Sequence, residues 1–199
     1  IDEPYVLHTG GVSKDRGFDV MIGAAERMRA MGVSAPIVNL GPIYLGNYAK
    51  ADQDALLARA QAADVRCVGL VPYAQSLRWI AHARVGYLPM VLSENNIRGQ
   101  PRKMFEYFAF GLPVVACDFG RVKEIIERHD AGLLVDTDDP SSHADALVRL
   151  LRDGSAHERY ARNARAAGQT YSFDAELPKL MSLYDVALAG KFAPLTETR

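Results

Sequence analysis

The chain has 199 residues, 49% of them apolar and 24% charged, as in a globular domain large enough to bury its own core. Its 23 Lys and Arg against 24 Asp and Glu give a formal charge of -1, which counts against a nucleic-acid binder held by phosphate neutralisation. Two cysteines far apart, Cys67 and Cys117, count against a disulfide scaffold or a zinc site, and no apolar run approaches the ~18 residues of a membrane span. The composition alone therefore points to a soluble intracellular α/β domain.

Tyr5 to His8 is a β-prone run that stops at Gly10-Gly11. Phe18, Met21, Ile22, Ala25 and Met28 recur at helical spacing, and Gly32 marks a stop. Ile37–Leu40 reads as a second strand closing at Gly41-Pro42, and the polar stretch from Ile43 to Lys50 as a connection to a helix over Asp52–Ala63. Val65–Leu70 is a third strand, followed by Pro72 and a helix near Ser76–Ala83, and Val85–Leu88 is a fourth. Ser93–Gln100 has no period and reads as a loop. A helix over Pro101–Phe110, a strand over Pro113–Cys117, a helix over Val122–Arg128 and a strand over Gly132–Val135 follow. The rest is helical: Pro140–Arg152, Ala156–Gln169 and Asp174–Leu188, with a frayed tail from Lys191 to Arg199.

Strands alternating with helices, and apolar on both faces, predict a doubly wound, six-stranded parallel sheet of Rossmann type with helices at its C-terminal end. Ligands of such sheets lie beyond the carboxyl ends of the strands, at the switch point. The loops after each strand are therefore the segments that matter.

The first loop, from Thr9 to Gly17, carries two adjacent glycines and a cation, Arg16, just before a helix whose free N–H groups attract anions. This is a phosphate-site pattern, although a plain glycine turn with a solvated arginine would look the same. It is neither G-x-G-x-x-G nor a P-loop, which counts against nicotinamide dinucleotides and P-loop phosphates. The second segment is sharper. In Gln100-Pro101-Arg102-Lys103-Met104-Phe105-Glu106-Tyr107, Pro101 suits the first helical position. The free amides of Arg102 and Lys103 and the Lys103 ammonium would converge on an anion. Glu106 lies about one turn on, where a carboxylate serves poorly against phosphate but well for two vicinal ribose hydroxyls. Cation, amides and carboxylate in that order point to a nucleoside diphosphate; the alternative is a surface Lys-Glu pair.

Here the chain resembles a known family. Glu106 to Val115 (EYFAFGLPVV) is similar to the signature of retaining family-four (group 1) glycosyltransferases, whose two Rossmann-like domains face a cleft in the GT-B architecture. Gly10 to Gly17 resembles the family's first-loop motif, Val68 to Pro72 its base-binding strand end, and Gly132 to Val135 its G-L-L-V strand. The resemblance covers Tyr5 to about Tyr184 and implies the donor-binding, C-terminal half of a GT-B enzyme, over residues 1–190. It assigns Arg16 and Lys103 to the donor diphosphate, with the backbone of Gly10, Gly11, Arg102 and Lys103 around it. Glu106 falls to the ribose and the backbone of Leu70 and Val71 to the base. Two positions depart from the pattern: Gly11 stands where the family often has an arginine, and Arg98 stands eight before Glu106 where a second glutamate is usual. Glu94 is then the candidate catalytic carboxylate on the donor sugar, with Asn95 and Asn96 as further sugar contacts.

The function implied is transfer of a hexosyl group from a nucleoside-diphosphate sugar, such as a UDP- or GDP-sugar, to a hydroxyl acceptor with retention, in glycan biosynthesis. No cofactor and no metal are expected. The alternatives are a sugar-nucleotide 2-epimerase and a non-catalytic nucleotide-binding domain. The expected partners are the donor and an N-terminal acceptor domain absent from this chain, which alone should be inactive. The expected location is cytoplasmic, or peripheral at the inner membrane face in a longer enzyme. Asp136-Thr137-Asp138 is a D-x-D triplet, but it precedes Asp139-Pro140 and reads as helix capping. His82, His129, His143 and His157 read as helix-surface residues, His8 as a strand end, and Trp79 as core.

Overall fold

The computed structural model describes residues 3–189, so the expected tail from Lys191 lies outside the described residues. Six strands form one sheet: β1 (Val6–Thr9), β3 (Ile37–Leu40), β5 (Val65–Cys67), β6 (Val85–Leu88), β7 (Val114–Cys117) and β8 (Gly132–Val135). Their order is β5-β3-β1-β6-β7-β8 and every neighbouring pair is parallel. The chain winds outward from β1 through β3 to β5, then returns to the other side of β1 with β6. The switch point therefore lies between β1 and β6, and their carboxyl ends open a crevice.

Successive strand residues feed opposite layers, as pleating requires. Val6 joins the core formed with Phe18 and Met21 of α1 (Phe18–Ala30), Leu56 of α2 (Lys50–Ala62) and Leu147 of α7 (Pro140–Arg152). Leu7 joins the opposite core with Ile80 of α3 (Tyr73–His82), Met104 and Phe108 of α5 (Arg102–Ala109), Ile125 of α6 (Gly120–His129) and Ala164 of α8 (Gly154–Thr170). This two-sided burial is why the strands carry continuous apolar runs. The last helix among the described residues, α9 (Phe173–Leu188), contains Pro178 and buries none of its residues.

Several local expectations change. Ser93–Gln100 is not simply a loop: α4 (Glu94–Arg98) forms there, with the Ser93 hydroxyl accepting the Asn96 amide proton at 3.2 Å. The polar connection after β3 contains β4 (Ile43–Tyr44), which pairs with β2 (Val12–Ser13) beside the main sheet. Pro101 is the cap before α5 rather than its first residue. His143 is not a surface residue but fully buried, because Nε2 lies 2.8 Å from the Asp136 carbonyl and Nδ1 2.7 Å from the Tyr87 hydroxyl. Trp79, read as core, does pack against the core of Tyr5, Leu7 and Ile80 while staying partly exposed, its ring edge-on to Tyr5. The D-x-D segment does lead into a cap, where Asp139 accepts from the Ser141 and Ser142 amides at the start of α7.

Candidate functional site

Three chain segments meet at the switch point, and the loop after β5 borders them. After β1 the chain turns through Gly10, whose φ of 114° is a left-handed conformation that side chains rarely adopt. It then pairs briefly as β2 and turns again at Gly17, also left-handed (φ 74°), to enter α1. A Cβ at Gly17 would lie 1.8 Å from the Pro89 carbonyl oxygen, so the loops after β1 and β6 touch. The loop after β6 carries α4, and α5 begins at Arg102. Its first internal bond runs from the Met104 amide to the Pro101 carbonyl, leaving the Arg102 and Lys103 amides at the open end of the helix.

These segments enclose two adjoining clefts. One, of about 340 Å³, is lined by His8, Gly10, Gly11, Arg16, Asn95, Asn96 and Lys103, among others. The other, of about 460 Å³, is lined by Thr9, Leu70, Val71, Tyr73, Arg102, Lys103 and Glu106. Gly10, Pro101 and Lys103 border both, so the Lys103 ammonium stands where the clefts join.

Lys103 Nζ lies 3.1 Å from His8 Nε2 and packs against Gly10, where a Cβ would come within 3.0 Å of it. Burial lowers the Lys103 pKa to about 8, helped by the nearby Arg16 cation and opposed by Glu106. Burial, and next the charge of Lys103, holds the His8 imidazole well below its ordinary value, so the ring is neutral. Arg16 is exposed at the rim, its guanidinium 5.7 Å from the centre of the Tyr44 ring. One Glu106 oxygen, Oε1, is buried without a hydrogen-bond donor. Arg102 Nε comes within 3.2 Å of it but is not aligned to bond, and the Arg102 side chain is largely in solvent. Arg16, Arg102 and Lys103, with a buried carboxylate oxygen that accepts no hydrogen bond, thus border one continuous groove at the open end of α5.

Of the residues singled out in the sequence, Gly10, Gly11, Arg16, Asn95, Asn96 and Lys103 come together in the first cleft, and Leu70, Val71, Arg102 and Glu106 in the second. Glu94 joins neither. Its side chain is 85% exposed and sits 3.4 Å from Arg98, one turn along α4. His8 was the omission: only 4% exposed, it lines the first cleft. Its signal was a polar residue ending an otherwise apolar strand, directly before the glycine loop.

Fold and groove together define a doubly wound, Rossmann-like α/β domain with a cation-bordered cleft at its switch point. The chain belongs to the group 1 glycosyl transferases, whose family model matches residues 3–153. It is similar to the D-inositol 3-phosphate glycosyltransferase of Xylanimonas cellulosilytica, with 30% identity over 185 residues, covering 92% of this chain and 42% of that protein. Among solved structures it resembles sucrose-phosphate synthase from Thermosynechococcus elongatus, with a TM-score of 0.73, 21% identity, and coverage of 95% of this chain and 46% of that one. It also resembles an S. aureus TarM mutant in complex with fondaparinux, alpha-GlcNAc-glycerol and UDP, with a TM-score of 0.72, 18% identity, and coverage of 92% and 35%. These likenesses establish a Rossmann-like GT-B half. The chain spans less than half the length of the curated relatives it matches. No helix among the described residues is long and apolar enough to cross a membrane.

Proposed function

We propose that this chain is the donor-binding half of a retaining, metal-independent glycosyltransferase that uses a nucleoside-diphosphate sugar. The observation that carries the reading is the Lys103 ammonium at the junction of the clefts beside the Glu106 carboxylate, whose buried Oε1 accepts no hydrogen bond and has the solvent-exposed Arg102 as its ion-pair neighbour. A buried carboxylate oxygen without a donor is costly unless a ligand supplies one. A ribose hydroxyl is such a donor, and a diphosphate is the anion that Lys103 calls for beside it.

The ligand then lies with its base near Leu70 and Val71, its ribose on Glu106 and its diphosphate between Lys103, Arg16 and the first amides of α5. The sugar extends into the first cleft toward Asn95 and Asn96. When the bond from the anomeric carbon to the phosphate oxygen breaks, its electron pair stays on the leaving diphosphate. Fixed cations and helix amides stabilise that growing charge where it forms, which supports transfer without a metal. The UDP in the TarM complex is in keeping with this class of ligand. The acceptor is assigned to an N-terminal domain of a longer enzyme. Phe173, Met181, Leu183, Tyr184 and Leu188, exposed along α9, supply an apolar surface that such a domain would cover.

Calorimetric titration of the chain with UDP, GDP, ADP and NAD tests the reading. Binding of one nucleoside diphosphate is expected, with Lys103→Ala and Glu106→Ala each weakening it tenfold or more, on the order of 1.4 kcal/mol or above. Glu106→Ala should also erase any preference for the ribonucleotide over its deoxy form. Silence toward all four ligands would favour a non-catalytic domain. Product analysis with the full-length enzyme separates transfer from epimerisation.

A further inference from the structure

His8 lines the first cleft but has no part in the donor chemistry above. Its ring is buried at the end of β1, and both nitrogens are engaged. Nδ1 lies 2.9 Å from the Tyr87 carbonyl oxygen and Nε2 lies 3.1 Å from Lys103 Nζ. A carbonyl oxygen can only accept, so the single proton of the neutral ring belongs on Nδ1. Nε2 then presents a lone pair to an ammonium, which can only donate. The charged groups facing this corner are Lys103 and Glu106 from α5 and Arg16 from the first loop, and the Tyr87 carbonyl comes from β6. Two cations beside a buried ring oppose a second proton on it.

A lysine on a four-carbon stem has many rotamers, and an ammonium free to sample them must be ordered when a ligand arrives. Here one N–H is committed to His8 and the nitrogen is seated against Gly10, which leaves its other donors toward the clefts. We propose that His8 is a positioning residue of the donor site: its neutral Nε2 accepts a hydrogen bond from Lys103 and fixes the ammonium at the junction of the clefts. This rests on reading Lys103 as a diphosphate ligand. The imidazole touches no reacting atom; it acts through the lysine.

Two substitutions divide the two bonds of the ring. His8→Asn places an amide near the former Nδ1, keeping the contact to Tyr87 and losing the acceptor for Lys103. His8→Gln places a carbonyl oxygen near the former Nε2 and keeps that acceptor. With whichever of UDP, GDP or ADP the unaltered chain binds, His8→Asn should cut its preference for the diphosphate over the matching monophosphate by about tenfold, and His8→Gln should restore most of it. Equal preference in the unaltered chain and both variants would overturn the proposal. Because either variant could fail to fold, NMR of the imidazole nitrogens in the unaltered chain gives an independent answer. It should show the proton on Nδ1 and an Nε2 signal that moves in Lys103→Met; a proton on Nε2 would also overturn the proposal. If the unaltered chain binds none of the nucleotides, the donor reading falls, and the part of His8 in binding falls with it. The NMR spectrum still decides the His8–Lys103 bond by itself.

Discussion

The Tyr107 hydroxyl accepts the amide proton of Thr9 at 2.9 Å, joining the middle of α5 to the end of β1. The same hydroxyl lies 3.2 Å from the Leu7 carbonyl, to which it donates. The ring needs the bare backbone of Gly86, where a Cβ would come within 2.5 Å of it. The phenol thus ties the helix that presents Lys103 and Glu106 to the strand that presents His8, alongside the Lys103–His8 contact. Tyr107→Phe removes the hydroxyl and leaves the Thr9 amide without that partner. Urea denaturation should show a loss of about 1–3 kcal/mol, and calorimetry a weaker nucleotide affinity. An unchanged midpoint would mean that the link is not structural.

Burial of the Lys103 ammonium costs the unliganded fold stability. Its folded pKa of about 8 lies below that of an unfolded lysine, so the unfolded state binds more protons between the two values. Stability from this group therefore rises with pH from about 8 to about 10.4, and its full penalty is felt below about 8. Lys103→Met should stabilise the unliganded chain near neutral pH by about 2 kcal/mol, a figure reduced because the side chain is only partly buried. The gain over the unaltered chain should shrink as pH rises through that window. Thermal unfolding at several pH values measures it, and a destabilised methionine variant would contradict this account.

Nucleotide affinity should carry the same signature with the opposite benefit. A bound diphosphate favours the ammonium, so the liganded pKa lies above the free one. Affinity is expected to be level up to about 8 and then to fall by about tenfold per pH unit until the liganded pKa is reached. Titrations of Lys103→Met across the same range should show no such slope.

Glu94 makes a contrasting case. Exposed and paired with Arg98, it should contribute little to nucleotide binding in this chain. Glu94→Gln is expected to leave the nucleoside-diphosphate affinity within about twofold, a difference below ~0.5 kcal/mol. Ser93→Ala, which removes the cap of the neighbouring α4, should disturb the asparagines of the first cleft more than Glu94→Gln does. A large loss in Glu94→Gln would show that α4 reorganises around the donor.

The central strands were legible because they are buried on two sides, and such burial demands apolar runs such as Val114–Cys117. The start of α5 was legible because Pro101, Lys103 and Glu106 follow local rules of helix capping and spacing. α4 and β4 were not. A five-residue helix is too short to show a period, and a two-residue strand is defined only by its partner. The burial of His143 is hidden from the local pattern for a related reason. Its carbonyl and hydroxyl partners come from β8's exit loop and from β6, and nothing in its own helix announces them.

The doubly wound class, the succession of its main strands and helices, and the cation-amide-carboxylate series at the second loop all follow from neighbours along the chain. Tertiary structure decided the rest. It brought Arg16 and Lys103, 87 positions apart, into one groove, turned Glu94 out to solvent, and seated His8 beneath the lysine. Those relations depend on how strands lie side by side in space. A hydrogen bond between residues 95 positions apart leaves no mark on the local pattern of either.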